Sequence, residues 1–314
     1  MTSTDHMVSG SNKTPWHGLG TVLPGNLTFF EALIAARLNW NVIQEPVFDG
    51  DMRQIKTHQL NRREDTRDVL GIVRKDWEPL QNEQLLEIAE ALAQLDDTEF
   101  KPVIETAGSL QGGRTVWALV KIGERQFANS GHHTYLLLSN GHDGARGIRG
   151  TLTDTRVVCA NTLRTAETAS SQLFVTHVKG VTQRLSAAIH TLGWANRMTN
   201  STFAIYEALA VAPVSVDNAR AGYQRLVGDP KKETLTGKQK NTVDKMLELF
   251  RHGNGNEGKT AFDFLNGVTD WQDHHYNYRN TEGKAERRFL DTTTGAGAAF
   301  KVQAFQAAKQ LAGV

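Results

Sequence analysis

The sequence contains very little cysteine, because Cys159 is the only one among 314 residues. A single cysteine excludes an internal disulfide framework and any zinc or iron–sulfur site that needs several thiolate ligands. The chain also has no apolar run near the roughly 18 residues of a membrane span, and its N-terminus lacks the charged-then-apolar pattern of a signal peptide. We therefore expect a cytoplasmic protein without a membrane partner.

Common catalytic signatures are also missing. The chain has no GxSxG nucleophile elbow and no GxGxxG that follows a strand. The segment "GNGNEGK", residues 253–259, has glycines and a lysine, but we expect no Walker loop there, since no strand pattern precedes it. These absences lead us to expect no cofactor, and they favour a protein without enzymatic activity.

The charge is unevenly distributed although the net charge is only +1. Residues 1–110 carry 10 Lys and Arg against 17 Asp and Glu, whereas residues 111–314 carry 25 against 17. A basic later part indicates an anionic partner there, although a solvated surface of one sign would leave the same pattern.

Strand patterns cluster in the first half of the chain and helix patterns in the second. The predicted strands are 41–48, 69–77, a hairpin over 102–122 that turns at Gly108–Gly113, a pair over 132–154 joined at Asn140–Gly144, and 173–178. The predicted helices are one capped by Thr28 and Glu31, one from Asn82 to Leu95 capped by Asn82, a long one from Lys179 to Ala210, and four over 217–227, 237–250, 260–274 and 298–311.

This order predicts an α+β fold, with an antiparallel strand-rich first half packed with helices and a mainly helical C-terminal third. We predict a disordered tail at 1–12, an α+β core domain at 13–212 and a helical C-terminal region at 213–314.

Cys159 lies in the segment "DTRVVCANTLRTA", Asp154 to Ala166, and the residues around it indicate whether its thiol is reactive. Arg156 and Arg164 could lower its pKa, but no histidine partner is fixed by the sequence. Cys159 follows two valines, and free cysteine is among the most buried residue types. We interpret the segment as a strand that passes into a helix, with Cys159 buried at the junction.

Arginines and small polar residues are dense around this segment. Between Ser139 and Arg197 there are seven Lys and Arg against three Asp and Glu. Arginine forks suit phosphate, and Asn and Thr supply neutral donors to a backbone. The predicted nucleic-acid-binding residues are Arg146, Arg149, Arg156, Asn161, Arg164, Lys179 and Arg197. An exposed strand face with ordinary solubilising charge is the alternative.

The predicted long helix carries a basic stripe at Lys179, Gln183, His190 and Arg197, opposite its apolar residues. A basic stripe beside a basic strand face is typical of a groove for a nucleic-acid backbone. Trp117 and Tyr135 could stack on bases there, although aromatic residues at strand positions are more often core.

A partial metal-ligand set is the main enzymatic alternative. Asp270, Asp273 and His274 lie on one face of a predicted helix at i, i+3 and i+4. No complete metal motif accompanies them, so a carboxylate–histidine pair at the surface is the preferred interpretation.

Five segments together resemble a family of phage- and plasmid-encoded proteins that share a domain of unknown function. They are "WHGLG" (Trp16–Gly20), "AGSLQGGRTVWAL" (Ala107–Leu119), "LLLSNGHDG" (Leu136–Gly144), "RVVCANTL" (Arg156–Leu163) and "FLNGVTDWQDH" (Phe264–His274). The order of elements is also similar to that of phage single-strand annealing proteins, which form rings or filaments with a basic groove.

The resemblance implies an oligomeric protein of a mobile element that binds single-stranded DNA, in annealing or recombination. Two alternatives stay open: a metal-dependent nucleic-acid-processing enzyme that uses Asp270, Asp273 and His274, and a host-directed protein-interaction factor without DNA affinity.

The interpretation of Cys159 gives a first prediction. Cys159→Ser should keep ligand binding but lower the free energy of unfolding by about 1–3 kcal/mol, because a hydroxyl without a partner is costly to bury among valines. Urea denaturation and a binding assay measure the two effects separately. A variant that is as stable as the parent but inactive would instead identify Cys159 as a nucleophile.

Overall fold

The protein has a mixed α+β architecture in a computed structural model, with antiparallel strands in the first half and helices toward the C-terminus. This confirms the predicted fold class. The structure describes residues 7–10, 21–25, 27–93, 103–127, 130–156, 161–164, 172–183, 203–229, 234–277, 287–288, 291–292 and 295–314.

The strands form two sheets. In chain order they are β1 (Met7–Ser9), β2 (Thr21–Val22), β3 (Val42–Phe48), β4 (Gln54–Arg63), β5 (Val69–Arg74), β6 (Val103–Leu110), β7 (Thr115–Phe127), β8 (Ser130–Gly141), β9 (Ile148–Arg156), β10 (Asn161–Arg164) and β11 (Gln172–Val175). The large sheet has the order β10–β9–β8–β7–β6–β1–β2, with β11 also paired to β9, and the small sheet has the order β3–β4–β5. Only β1 and β2 pair in parallel among these strands.

The helices of the described residues lie mainly after residue 200. They are α1 (Phe29–Ala35), α2 (Asn82–Ala93), α3 (residues 203–211), α4 (Val216–Val227), α5 (Gly237–His252), α6 (Ala261–Asp270), a π-helical turn (Trp271–His275) and α7 (Ala296–Ala312). None of the helices in the described ranges combines the length and the apolar composition that a bilayer crossing requires.

Capping side chains explain where several of these helices begin. Thr28 accepts a hydrogen bond from the backbone of Glu31, whose carboxylate accepts from the Thr28 backbone in return, as the sequence predicts. Thr236 and Thr260 begin α5 and α6 with the same reciprocal arrangement. These caps satisfy backbone N–H groups that have no partner inside a helix.

The apolar residues form two large clusters that are separate along the chain. The first lies where one face of the large sheet meets α1 and α2, and its members include Ala32, Leu33, Leu85, Leu86, Val116, Ala118, Leu136, Leu138 and Ile148. The second lies among the C-terminal helices and includes residues from Phe203 to Ala308. A smaller cluster of Met7, Leu110, Trp117 and Leu137 lies on the opposite face of the large sheet. Alternation along the strands therefore buries apolar side chains on both faces.

Three local predictions differ from the structure. Asn161–Arg164 form a strand that pairs with β9, so the predicted passage from strand to helix is wrong at these residues, because ladder pairing outweighs local propensity. Met7–Ser9 form the buried strand β1 inside the segment predicted as a disordered tail. Asn82 is the first residue of α2 rather than its cap, and its amide binds the carbonyls of Leu38 and Trp40.

A buried polar junction links the two sheets to α2. His142 lies in the loop after β8, and its Nε2 is 2.9 Å from Oδ1 of Asn82. Because the Asn82 amide nitrogen already donates to two carbonyls, Nε2 of His142 carries the proton and donates. Asn61 of β4 donates to the His142 carbonyl at 2.9 Å, and Asn140 of β8 donates to the Leu80 carbonyl at 2.8 Å. We call these four residues, Asn61, Asn82, Asn140 and His142, the polar junction.

The backbones of the two sheets also come very close at this junction. A Cβ atom built on Gly71 of β5 would lie 2.4 Å from the carbonyl oxygen of Asp143. Only glycine allows this approach without a shift of the backbone. The segment "SNGHDG", Ser139 to Gly144, belongs to one of the segments that carry the family resemblance. Its residues Asn140 and His142 form hydrogen bonds inside the protein.

The polar junction gives a pH prediction. Burial lowers the pKa of His142 from 6.5 to about 3, and that of His177 to about 4. The unfolded chain binds these protons below pH 6.5 while the folded chain does not, so stability is full above this pH. It falls as the pH decreases from 6.5 toward the folded values, by up to about 1.4 kcal/mol per pH unit for each histidine.

Urea denaturation at a series of pH values between 7 and 5 measures this slope. We expect His142→Gln to flatten it relative to the parent protein, whatever its effect on stability at pH 7. His58→Gln, at an exposed position of β4, controls for the loss of a histidine. Equal slopes for the parent and His142→Gln would show that His142 is not buried in its neutral form.

Candidate functional site

A cavity of about 370 Å³ opens on the face of the large sheet opposite α1 and α2. Its apolar floor includes Trp117 of β7 and Leu137 of β8, and its polar lining includes Ser139. Strand alternation places these side chains on one face, since Trp117 is directly opposite Ser139 and Ser139 is directly opposite Arg149. Both floor residues are almost completely buried, and polar groups surround them.

Arg146 lies on one side of this cavity, in the loop between β8 and β9. Its Nη1 atom donates to Thr115 Oγ1 at 3.1 Å and to Asp143 Oδ2 at 3.1 Å. These contacts fix the guanidinium at the cavity wall and compensate part of its charge.

Arg149 also lines the cavity and is exposed on β9. No carboxylate of the described residues forms an ion pair with it. Its guanidinium carbon lies 5.7 Å from the ring centroid of Phe174, which is directly opposite in the β9–β11 ladder. A guanidinium beside a cavity, with no acidic partner in the described part of the chain, is a donor available to an anion.

The C-terminal part of the chain supplies another wall of the cavity. Arg287, Asp291 and Gly295 line it. Asp291 is held in place because its carboxylate accepts hydrogen bonds from the Gly297 backbone at 3.0 Å and from the Gln272 side chain at 3.2 Å. Among the described residues, the lining of the cavity therefore contains three arginines and one acidic residue.

The other predicted binding residues are dispersed. Arg156 is opposite Asn161 in the β9–β10 ladder, and Arg164 is opposite Thr153. At about 3.3 Å per residue, the backbone of Arg156 lies roughly 23 Å along β9 from Arg149. Lys179 is exposed in a turn after β11.

Several predictions fall on parts of the chain that are not described. Arg197, His190 and Cys159 lie outside the described residues, so the basic stripe of the predicted long helix stays a prediction. The structure thus brings Arg146 and Arg149 together, and it adds Arg287, which the sequence analysis missed. Only the tertiary fold places Arg287 near the other two.

Trp117 and Tyr135 belong to the interior of the sheet. Their residues are 1% and 5% exposed, which confirms the interpretation as core residues rather than open stacking surfaces. Phe174, by contrast, is 55% exposed, although its neighbour Val175 is buried. The sequence predicts a strand at this segment but gives no signal that Phe174 is exposed.

A polar cluster lies further along the same sheet. Tyr135 donates to both carboxylate oxygens of Glu105, at 3.1 and 3.0 Å, and lies 3.2 Å from Nδ1 of His133. Burial raises the pKa of Glu105, and the hydrogen bond from Tyr135 opposes this effect. Lys121 forms an ion pair with Glu124 at 2.7 Å. Both signs of charge are present, and the cluster presents no excess of positive charge to an anion.

The glycine-rich segment 253–260 matches the spacing of both GxGxxG and the phosphate-binding GxxxxGK[ST] pattern, but its surroundings differ. It connects two helices, α5 and α6, so no strand precedes it. The Asp263 carboxylate accepts hydrogen bonds from the backbones of Lys259 and Thr260, at 3.0 and 3.2 Å. An internal carboxylate therefore already occupies the place where a phosphate would bind at the start of a helix.

Of the three candidate metal ligands, Asp273 is held in an internal contact, whereas His274 is exposed. Asp273 is fully buried and forms an ion pair at 2.8 Å with Lys301 of α7, which is fully buried as well. The predicted carboxylate–histidine pair at the surface is therefore wrong for Asp273. The backbone carbonyl of Asp273 accepts a hydrogen bond from Arg288. Within the described ranges, no group of three or more His, Cys, Asp or Glu side chains could hold a metal ion.

The Asp273–Lys301 pair gives a stability prediction. Asp273→Ala should lower the free energy of unfolding by about 3–5 kcal/mol, because it removes the carboxylate that forms an ion pair with the buried ammonium group of Lys301. The double variant Asp273→Ala/Lys301→Met should recover much of this loss, since it removes both charges. Urea denaturation compares the two, with Asp51→Ala at an exposed ion pair as the control. A single variant as stable as the control would contradict a buried pair.

Comparison with known proteins assigns the chain to one family. The family model described as "Domain of unknown function (DUF932)" matches residues 69–292, which is more than half of the chain. Of the five segments quoted above, Trp16–Gly20 lies outside the matched residues and the other four lie within them. Comparisons with curated proteins and with solved structures give no significant match. The chain therefore belongs to the family of proteins that share the DUF932 domain of unknown function.

Proposed function

We propose that this protein binds single-stranded DNA through the arginine-lined cavity of its large sheet. The observation that carries the proposal is Arg149, which is exposed at the cavity and has no acidic partner among the described residues. Arg146 and Arg287 line the same cavity. Binding to a nucleic-acid backbone depends on such cations, since each one that neutralises a phosphate releases counterions.

The lining of the cavity supports a nucleotide strand as the ligand. Arginine forks match the two oxygens of a phosphate, and Arg146, Arg149 and Arg287 all line the cavity. A small inorganic anion presents one charged group, whereas a strand presents a phosphate at every nucleotide, so several arginines can bind it at once.

The resemblance to phage- and plasmid-encoded proteins supports a role in a mobile genetic element. The similarity to phage annealing proteins in the order of elements favours annealing or recombination as that role. Such a protein acts as an oligomer along a strand, as many single-strand binders do. Arg156, Asn161, Arg164, Lys179 and Arg197 would extend the contact beyond the cavity.

A salt titration tests the proposal. Fluorescence anisotropy of a labelled oligothymidine, measured between 50 and 300 mM salt, gives the slope of log affinity against log salt. Arg149→Ala should weaken binding and make this slope shallower by about 0.7, the value for one phosphate on a single strand. Arg149→Lys should keep the slope because it keeps the charge, while affinity falls with the loss of the fork.

Arg53→Ala is the matched control. Arg53 is exposed in the turn between β3 and β4, where its described ion pair is with Asp51, so its loss should leave both affinity and slope unchanged. Binding of the parent that does not depend on salt, or no binding at all, would refute the proposal. Equal slopes for the parent and Arg149→Ala would place the phosphate contacts elsewhere.

A further inference from the structure

Phe174 is unusual because its aromatic ring is exposed beside the candidate site. The residue is 55% exposed on the short strand β11. Its ring contacts two residues that line the cavity, Gly147 and Arg149. The ring therefore lies beside the cavity.

The surrounding residues hold this ring in position. A Cβ atom built on Gly147 would lie 2.7 Å from Cε2 of Phe174, so the ring occupies the space that a side chain at 147 would need. Backbone pairing with Arg149 fixes the position of Phe174 in the ladder, and the next residue, Val175, is anchored in the core. An aromatic side chain that is already ordered loses little conformational entropy when it binds a ligand.

The side chains of Phe174 and Arg149 have the chemistry to bind a nucleobase. The Arg149 guanidinium and the Phe174 ring are both planar, both exposed, and 5.7 Å apart from guanidinium carbon to ring centroid. Nucleobases stack on aromatic rings and on guanidinium planes, and this interaction tolerates any base because each has a π face. A base inside a duplex already stacks on its neighbours, so it cannot use such a platform without leaving the helix.

We infer that Phe174 and Arg149 form a stacking platform for one unpaired base, next to the cavity whose arginines bind the backbone. This inference rests on the proposed function and deepens it. The arginines supply salt-dependent affinity for any nucleic acid, and Phe174 supplies the selection of single strands over duplexes.

The test compares two labelled strands of equal length, an oligothymidine and the same backbone with abasic sites. Phe174→Ala should weaken binding of the oligothymidine about tenfold, within the range for loss of one aromatic partner of a base. Binding of the abasic strand should stay the same. The salt slope should also stay the same for both strands, because no charge is removed.

Two further variants distinguish stacking on an aromatic ring from the effect of side-chain volume at position 174. Phe174→Trp should retain or increase affinity for the oligothymidine, whereas Phe174→Leu, which keeps apolar volume without a π face, should behave like Phe174→Ala. A 2-aminopurine placed in the strand should change its fluorescence when it binds the parent and change less with Phe174→Ala. Thermal melting of each variant checks that the fold is retained.

The outcomes distinguish the inference from the proposed function. If the parent binds neither strand, both fail. If the parent binds with a salt slope that Arg149→Ala reduces, but Phe174→Ala binds the oligothymidine like the parent, the proposed function survives and the stacking platform does not exist. Equal losses for the two strands in Phe174→Ala would also overturn the platform, because they indicate a structural role.

Discussion

The buried hydrogen bond from His142 to Asn82 is the interaction on which the placement of the candidate site depends. It joins the loop after β8 to α2, and Asn61 ties the small sheet to the same loop. A buried polar group without a partner costs about 1–3 kcal/mol, so a small displacement of any of these elements is penalised. The loop continues directly into Arg146, and its course therefore determines where that arginine lies.

The large sheet separates structural support from recognition. One face packs against α1 and α2 and forms the first hydrophobic cluster. The other face carries the cavity, and residues of the C-terminal part form one of its walls. Asp291, an acidic residue of that wall, has its carboxylate bound to Gly297 and Gln272. The basic character of the cavity depends on this arrangement, because internal donors already satisfy Asp291.

The sequence predicts correctly the helices and strands that neighbouring residues determine. It does not predict the features that depend on contacts between residues far apart in the chain. The capping pair of Thr28 and Glu31 and the periodic C-terminal helices are examples of local signals. The strand at Asn161–Arg164 depends on pairing with β9, and no nearby residue reveals this. The density of arginines points to Arg146 and Arg149, but the approach of Arg287 and the exposure of Phe174 arise only from tertiary packing. Strand β4 lacks such a local signal, because its first five residues, Gln54 to His58, are all exposed and only Ile55 among them is apolar.

The edges of the large sheet bear on how copies of this protein can associate. At one edge lies β2, which has two residues, and at the other lie β10 and β11, which have four each. Strands this short offer few free backbone groups for pairing with another chain, and natural proteins use short edge strands to resist aggregation. The described part of these edges therefore offers few backbone groups for adding a strand from another molecule. Under the proposed function, copies that assemble along a DNA strand would meet through side-chain surfaces, which leaves the sheet of each subunit intact.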